Sequence, residues 1–280
     1  MKLIAGTSNF RLSESIAHYL ALSLMSVDIQ KFADGEICIR IQEDVADEDV
    51  YVLQSLFPNI NDCLVELLIL SNVLKKNGAK KITAVIPYYA YARQQDSASL
   101  VVSLLTASGV DRILTLDLHN SNVGIDTLAT TSLFATDIQT RFKDSVVIVS
   151  PDARGIERAR CLAQKLNVDL VTLNKVREPN VRIHKIDADV KGKNCLIVDD
   201  IVDSGATLIG AAEALKEAGA KEIHVYVTHA VLSGNAVNHI KKSKIDSMTT
   251  TDSIRSSGAL TDFFILSVAE IIGQGIKAQK

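Results

Sequence analysis

Residues 195 to 208 read "CLIVDDIVDSGATL": four apolar residues, two adjacent aspartates, a turn-like run, then the opening of a helical pattern. So apolar a run reads as a strand buried on both faces, and strand–loop–helix is the unit of a parallel α/β sheet. Ligands of such sheets sit at the carboxyl ends of the strands, where Asp199 and Asp200 are expected. Burying carboxylates is costly unless they are paired or hydrogen-bonded, so the pair should have something waiting for it.

Asp203, Ser204, Gly205, Ala206 and Thr207 follow directly and open the next helix. Small residues let backbone N–H groups approach a ligand, the hydroxyls add donors, and a helix N-terminus is electropositive. That is a cradle for a phosphate. Carboxylates repel phosphate, so the acid pair must address another part of the same ligand, and sugar hydroxyls are natural donors to it. A pentose phosphate satisfies both halves. An ordinary turn and N-cap beside solvated aspartates would carry either half alone; the combination favours a binding site.

Outward from this stretch the same alternation recurs. Residues 146–150, "VVIVS", read as a buried strand, "PDARG" as a loop, 155–166 as a helix with Asn167 as its C-cap, and 168–173 as the next strand. Leu208, Ala211, Ala212 and Leu215 share one face of a helix over 207–218 that Gly219 ends. The chain also repeats itself: "KKNGAKKITAVIP" at 75–87 resembles "KEAGAKEIHVYVT" at 216–228, and "DVYVLQS" at 49–55 holds the place of "NCLIVDD" at 194–200. A third helix–Gly–strand junction, "ASGVDRILTL" at 107–116, shows that such junctions look alike, but the shared order favours a duplicated α/β domain. The division is expected in the polar "FKDS" at 142–145, giving domains over 1–143 and 144–280.

Composition sets the bounds. The 280 residues are 47% hydrophobic and 22% charged, enough for an ample core, and the net charge of -3 is spread along the chain. This argues against a nucleic-acid or anionic-membrane surface. Cys38, Cys63, Cys161 and Cys195 lie far apart without a C-x-x-C, against structural zinc or a disulfide framework. The apolar start of "MKLIAGTSNF" is too short for a signal peptide, and no run approaches the roughly 18 residues of a membrane span. The cytoplasm is the expected compartment.

The opening stretch resembles the phosphoribosyl-diphosphate signature of the phosphoribosyltransferase fold. Further stretches narrow the resemblance to the ribose-phosphate diphosphokinase (phosphoribosyl pyrophosphate synthetase) family: "KFADGE" at 31–36, "NDCLVELLIL" at 61–70, "ITAVIPYYAYARQ" at 82–94, "LDLH" at 116–119, "SPDARGIERA" at 150–159, "NKVR" at 174–177, "DADVKGK" at 187–193 and "THAVLSG" at 228–234. The resemblance implies two tandem phosphoribosyltransferase-like α/β domains, each a mainly parallel sheet flanked by helices, the second carrying the ribose 5-phosphate loop. It implies the reaction of ATP with ribose 5-phosphate to AMP and 5-phosphoribosyl 1-diphosphate, Mg2+ as the metal, and a homo-oligomer, a hexamer by family habit.

Residue by residue, the resemblance makes Lys175 and Arg177 catalytic, two cations at period two that steady the moving phosphates. His119 and Asp152 serve the metal–ATP complex, although magnesium's preference for oxygen leaves a direct phosphate contact open for His119. Phe32, Asp34 and Glu36 alternate as on one face of a strand-like segment and suit an adenine ring; a hairpin tip with an incidental Phe is the other reading of these residues. In the family this segment reaches a neighbouring subunit's ATP. Arg93 and Gln94 match an ATP-contacting pair, while "PYYAYA" itself reads as packing.

The chain departs from the family in places. "ARQQDSASLVVSLL" passes from Arg93 to Ser97 where the family carries a longer, basic, mobile loop over ATP, and Ser99 stands where the family has Lys. Arg154 and Ala206 occupy positions that are usually Gly, and "NSNVGIDTLATTSL" after His119 lacks the family's paired aromatics. The shortened loop at 94–97 also suits a catalytically silent regulatory subunit of the same family. A phosphoribosyltransferase would share the sugar-phosphate loop but has no need of "FADGE" or "YARQ".

Overall fold

The computed structural model describes residues 1–119, 123–143, 145–178, 181–186, 188–255 and 262–279, with the backbone alone at 174–178 and 181–185. The first half runs β1 (Lys2–Ala5), α1 (Phe10–Tyr19), β2 (Val27–Lys31), β3 (Ile37–Ile41), β4 (Asp49–Leu53), α2 (Ile60–Lys76), β5 (Lys81–Ile86), α3 (Gln95–Ala107), β6 (Arg112–Leu116) and β7 (Asp126–Leu128). The second runs α4 (Thr131–Arg141), β8 (Val146–Ser150), α5 (Ile156–Leu166), β9 (Leu170–Glu178), β10 (Val181–Ile186), β11 (Asn194–Val202), α6 (Ala206–Glu217), β12 (Glu222–Ala230), α7 (Ala236–Lys241), β13 (Ser247–Thr251) and β14 (Phe264–Leu266), and α8 (Ala269–Lys277) follows.

The five-stranded sheet has the order β1-β4-β5-β6-β7 and the seven-stranded one β10-β9-β8-β11-β12-β13-β14. The run β8-β11-β12-β13-β14 therefore repeats the first sheet strand for strand, and β4 holds the place of β11, as the internal repeat implies. All pairs are parallel except β9–β10 and the separate β2–β3 hairpin.

Burial explains why the strands read as continuous apolar runs. Along β8 and β11, Val147, Val149, Cys195 and Ile197 join the core that α6 covers through Leu208, Ala211, Ala212 and Leu215. Ile148, Leu196 and Val198 belong to a second core with Phe134 and Ile138 of α4 and Ala159, Leu162 and Ala163 of α5. With both faces covered, Cys195–Val198 of β11 are apolar throughout, and the first polar residues after them are the two aspartates.

The compact units do not divide at 143/144. One comprises Met1–Ala129, Asp252–Arg255 and Ser267–Lys280, the other Thr130–Thr251 and Ser256–Leu266. The reason is packing: α4 lies in the core under β8 and so joins the second unit, while α8 returns to pack on α1 of the first. A side chain at Gly273 of α8 would place its Cβ 2.2 Å from Tyr19 Cδ1 and 2.8 Å from Cε1. Gly→Ala inside a helix normally stabilises by up to about 1 kcal/mol. Here overpacking outweighs propensity, so Gly273→Ala is expected to cost roughly 1–3 kcal/mol and lower the melting temperature by several degrees, measured by circular dichroism. An unchanged or raised melting temperature would show that α8 does not seat on Tyr19.

Candidate active site

The acid pair lies inside β11, not beyond it: the strand continues through Asp199 and Asp200 to Val202. It nevertheless lies at a sheet edge, because β8 stops pairing with β11 at Val149↔Ile197 while β12 follows it to Ala230↔Val202. Past Ile197 no described strand pairs with β11 on the β8 side, and the aspartates lie in that stretch. The Asp199 side chain keeps 16% of its surface and that of Asp200 4%. What waits for them is Arg158, from α5, whose Nη1 lies 3.3 Å from Asp200 Oδ1 and 3.6 Å from Asp199 Oδ1. Sequence reading missed this residue; its only signal was a helical position one turn past the "PDARG" loop.

Burial and, next, the neighbouring Asp200 carboxyl push Asp199 well above the usual carboxylate range, against the opposing pull of Arg158. One guanidinium does not offset two carboxylates withdrawn from water. Asp199 Oδ1 also accepts the Asp200 N–H at 2.9 Å, which fixes the orientation of the pair.

The cradle has the expected order with one refinement. Gly205 takes the left-handed backbone, φ 79°, as the N-cap residue of α6, so Ala206 is free to be the first helical residue and tolerates its Cβ. Asp203 is half-buried and Ser204 exposed, and Ser204 Oγ accepts the Ala206 N–H at 3.4 Å. Thr207 stands in the first turn of α6.

Two further segments meet this edge. Asp152 follows β8, and its Oδ1 accepts the N–H groups of Arg154 at 3.0 Å and Gly155 at 3.3 Å, while its carbonyl accepts Ser150 Oγ–H at 2.8 Å. Half of this carboxylate therefore shapes its own loop. On the other side, β9 pairs with β8 only as far as Ser150↔Thr172 and continues with β10 to Glu178↔Val181. Lys175 and Arg177 lie on this two-stranded arm, opposite His184 and Arg182; their side chains lie outside the described residues.

In the first unit, Arg93 and Gln94 follow β5 and His119 follows β6, two adjacent parallel strands, so they share the carboxyl edge of that sheet. His119 is half-buried and Arg93 and Gln94 are exposed. Gln94 is the N-cap residue of α3, which starts at once, leaving no loop between "YAYAR" and the helix. Tyr88, Tyr89, Ala90 and Ala92 are buried and Tyr89 Oη–H donates to the Ala98 carbonyl, which is packing, whereas Tyr91 of the same stretch is exposed and its hydroxyl donates to Asn61 Oδ1. Phe32, Asp34 and Glu36 do not share a strand face. They form the tip of the β2–β3 hairpin, closed by Phe32 N–H to the Glu36 carbonyl at 2.8 Å, with Asp34 Oδ1 accepting the Glu36 N–H at 3.1 Å. Gly35 needs its φ of 96° for this turn, so alternation along the segment is lost. Phe32 is 58% exposed at the tip.

Comparison with known proteins adds the family. Residues 1–115 match the model for the N-terminal domain of ribose phosphate pyrophosphokinase, and residues 126–259 the phosphoribosyl transferase domain. The chain belongs to the ribose-phosphate pyrophosphokinase family. The ribose-phosphate pyrophosphokinase of Mesorhizobium japonicum is 43% identical over 297 residues, covering 99% of this chain and 96% of that protein. That of Brucella melitensis is 42% identical over 296 residues, with the same coverage. The crystal structure of phosphoribosylpyrophosphate synthetase from Mycobacterium smegmatis superposes with a TM-score of 0.93 at 32% identity, over 99% of this chain and 98% of that one. Alignments of 296 and 297 residues on a chain of 280 mean that these pyrophosphokinases carry segments this member lacks. Among the described residues no helix is long and apolar enough to cross a membrane, and no three His, Cys, Asp or Glu side chains cluster as a metal site.

Proposed function

We propose that the protein is a ribose-phosphate diphosphokinase that moves the diphosphoryl group of ATP to the C1 hydroxyl of ribose 5-phosphate. The observation that carries this is the adjacency, on one strand–loop–helix unit, of the Asp199–Asp200 pair and the Gly205-capped N-terminus of α6. The acids accept the sugar's ring hydroxyls. The amides and hydroxyls from Asp203 to Thr207 surround its 5-phosphate. The C1 hydroxyl oxygen attacks the β-phosphorus and gives up its proton to solvent, the bond from the β-phosphorus to the oxygen it shares with the α-phosphorus breaks, and AMP leaves with that oxygen.

Positioning and charge do most of the work in phosphoryl chemistry. Lys175 and Arg177 hold the transferring phosphates, and Arg93 and Gln94 the nucleotide. Mg2+, when bound, neutralises phosphate charge. A magnesium ion needs only one or two protein contacts, so the absence of a three-residue cluster does not conflict with it, and the Asp152 carboxylate has the right oxygen chemistry. His119 contacts the metal or an ATP phosphate. The reading includes a homo-oligomer, expected as a hexamer, in which the exposed hairpin tip brings Phe32, Asp34 and Glu36 to a neighbouring subunit's adenine.

The deciding experiment incubates the protein with ATP, ribose 5-phosphate and Mg2+ and measures AMP and 5-phosphoribosyl 1-diphosphate. Binding of both substrates without product would favour the regulatory subunit that the shortened 94–97 loop suggests; neither binding nor product would defeat both readings.

Asp199→Asn separates binding from stability. An acid whose native pKa is raised holds its proton longer folded than unfolded, so stability falls as pH rises from the ordinary aspartate range through the raised value. Asparagine removes that penalty and with it the ionised acceptor. The variant is expected to melt higher than wild type at neutral pH, by about 2–4 °C per kcal/mol recovered, and to bind ribose 5-phosphate roughly 30-fold more weakly. Calorimetric titration and thermal melts at pH 5 and pH 8 read both; a lower melting temperature at pH 8 would contradict the burial argument.

A further inference from the structure

We infer that Arg158 is a positioning residue for the sugar: it orients the Asp199–Asp200 pair toward ribose hydroxyls and offsets part of their charge, without itself touching substrate. The inference rests on the proposed function and goes beyond it by assigning a role on α5. Three observations support it. A single guanidinium nitrogen, Nη1, reaches an oxygen of each aspartate, at 3.3 and 3.6 Å, so the two acids share one cation. The Arg158 side chain keeps only 20% of its surface, so this pairing lies at the floor of the site and is weakly screened. Gly155 opens the way: a Cβ there would lie 3.9 Å from both Arg158 Nη1 and Asp199 Oδ1, and 3.2 Å from Ser150 Oγ, so a larger side chain would wedge into the contact.

The chemistry follows from charge. Two adjacent buried carboxylates cannot both stay ionised unaided, because each disfavours the other's charge. A protonated acid turns an acceptor into a donor, and a sugar hydroxyl that must donate loses its partner. Arg158, within reach of both, favours their ionised, hydrogen-bond-accepting form against burial and mutual repulsion. Burial still raises Asp199, and removal of the cation takes away the one side chain seen to oppose that rise.

The test is Arg158→Gln beside Arg158→Lys, with ribose 5-phosphate and ATP as the probes. Arg158→Gln is expected to raise the ribose 5-phosphate Kd and KM roughly tenfold, with the ATP Kd and kcat at saturating sugar within about threefold of wild type. Arg158→Lys, which keeps the charge, should restore most of the sugar affinity. A general loss of fold would move both substrates together, and if Arg158→Gln does not fold, Arg158→Met takes its place, with the same split between sugar and ATP affinity expected. Unchanged sugar affinity in Arg158→Gln, or equal loss toward both substrates in folded variants, overturns the inference. If wild type itself fails to bind ribose 5-phosphate, the functional reading has failed and not the role of Arg158 within it.

Discussion

Gly205→Val weakens ribose 5-phosphate binding by about 100- to 1,000-fold and destabilises the protein by roughly 2–3 kcal/mol; these are the expected results of one added side chain. Gly205 holds φ 79° at the start of α6, and a left-handed backbone costs an ordinary residue about 1–2 kcal/mol, more when it is β-branched. Its Cβ would also stand 3.1 Å from Ile240 Cγ1 and 3.2 Å from Cδ1. The cheapest relief is to flip the loop out of the left-handed region, which turns its amides away from the phosphate. Losing two charge-assisted bonds of about 1.5–3 kcal/mol each accounts for the affinity change. Gly205→Asn is the control, since asparagine tolerates this region better; it should retain more affinity than valine. Titration with ribose 5-phosphate and thermal melts measure both effects. Tight sugar binding by Gly205→Val would detach the phosphate from this loop.

Lys175→Ala is expected to lower kcat by about 100- to 1,000-fold and to change the ATP Kd by less than threefold. Beyond Thr172 the β9–β10 arm has left β8, so Lys175 and Arg177 lie three and five residues past the last shared pair. At about 3.3 Å per residue, that is roughly 10 and 17 Å past the point where the Asp152 loop emerges. In the proposed function, a cation carried on such an arm meets charge that develops as the diphosphoryl group moves, and does not hold the ground-state nucleotide. An interaction made only in the transition state lowers kcat and kcat/KM together and spares the binding of ATP. Steady-state kinetics beside direct ATP titration separate the cases. A parallel loss of ATP affinity would make Lys175 a binding residue.

Much of this was legible in the letters because the physics was local. "VVIVS" forms β8 over Val146–Ser150, Asn167 caps α5 in the left-handed region at φ 55°, and Leu208, Ala211, Ala212 and Leu215 are the buried face of α6. Each rests on burial or backbone rules that act within a few residues. Arg158 was not legible, since a cation on a helix reads as solvated until the fold sets it against a strand 42 residues away. The hairpin tip misled for the opposite reason: Phe32, Asp34 and Glu36 alternate as a strand does, and only the left-handed Gly35 turns them into a loop. The unit boundary was hidden because a polar stretch marks where a chain is exposed, not which core its neighbours join.

The return of α8 to the first unit also orders how the protein comes into being. Ile272 and Ile276 are buried in a unit whose other residues are mostly Met1–Ala129, which precede the second unit in the chain. On the ribosome the unit begun first is the last to close, and Tyr19 and Leu128, which Gly273 and Gly275 will cover, stay bare until the second unit has been spun out. Packing of the first unit therefore waits on synthesis of the second.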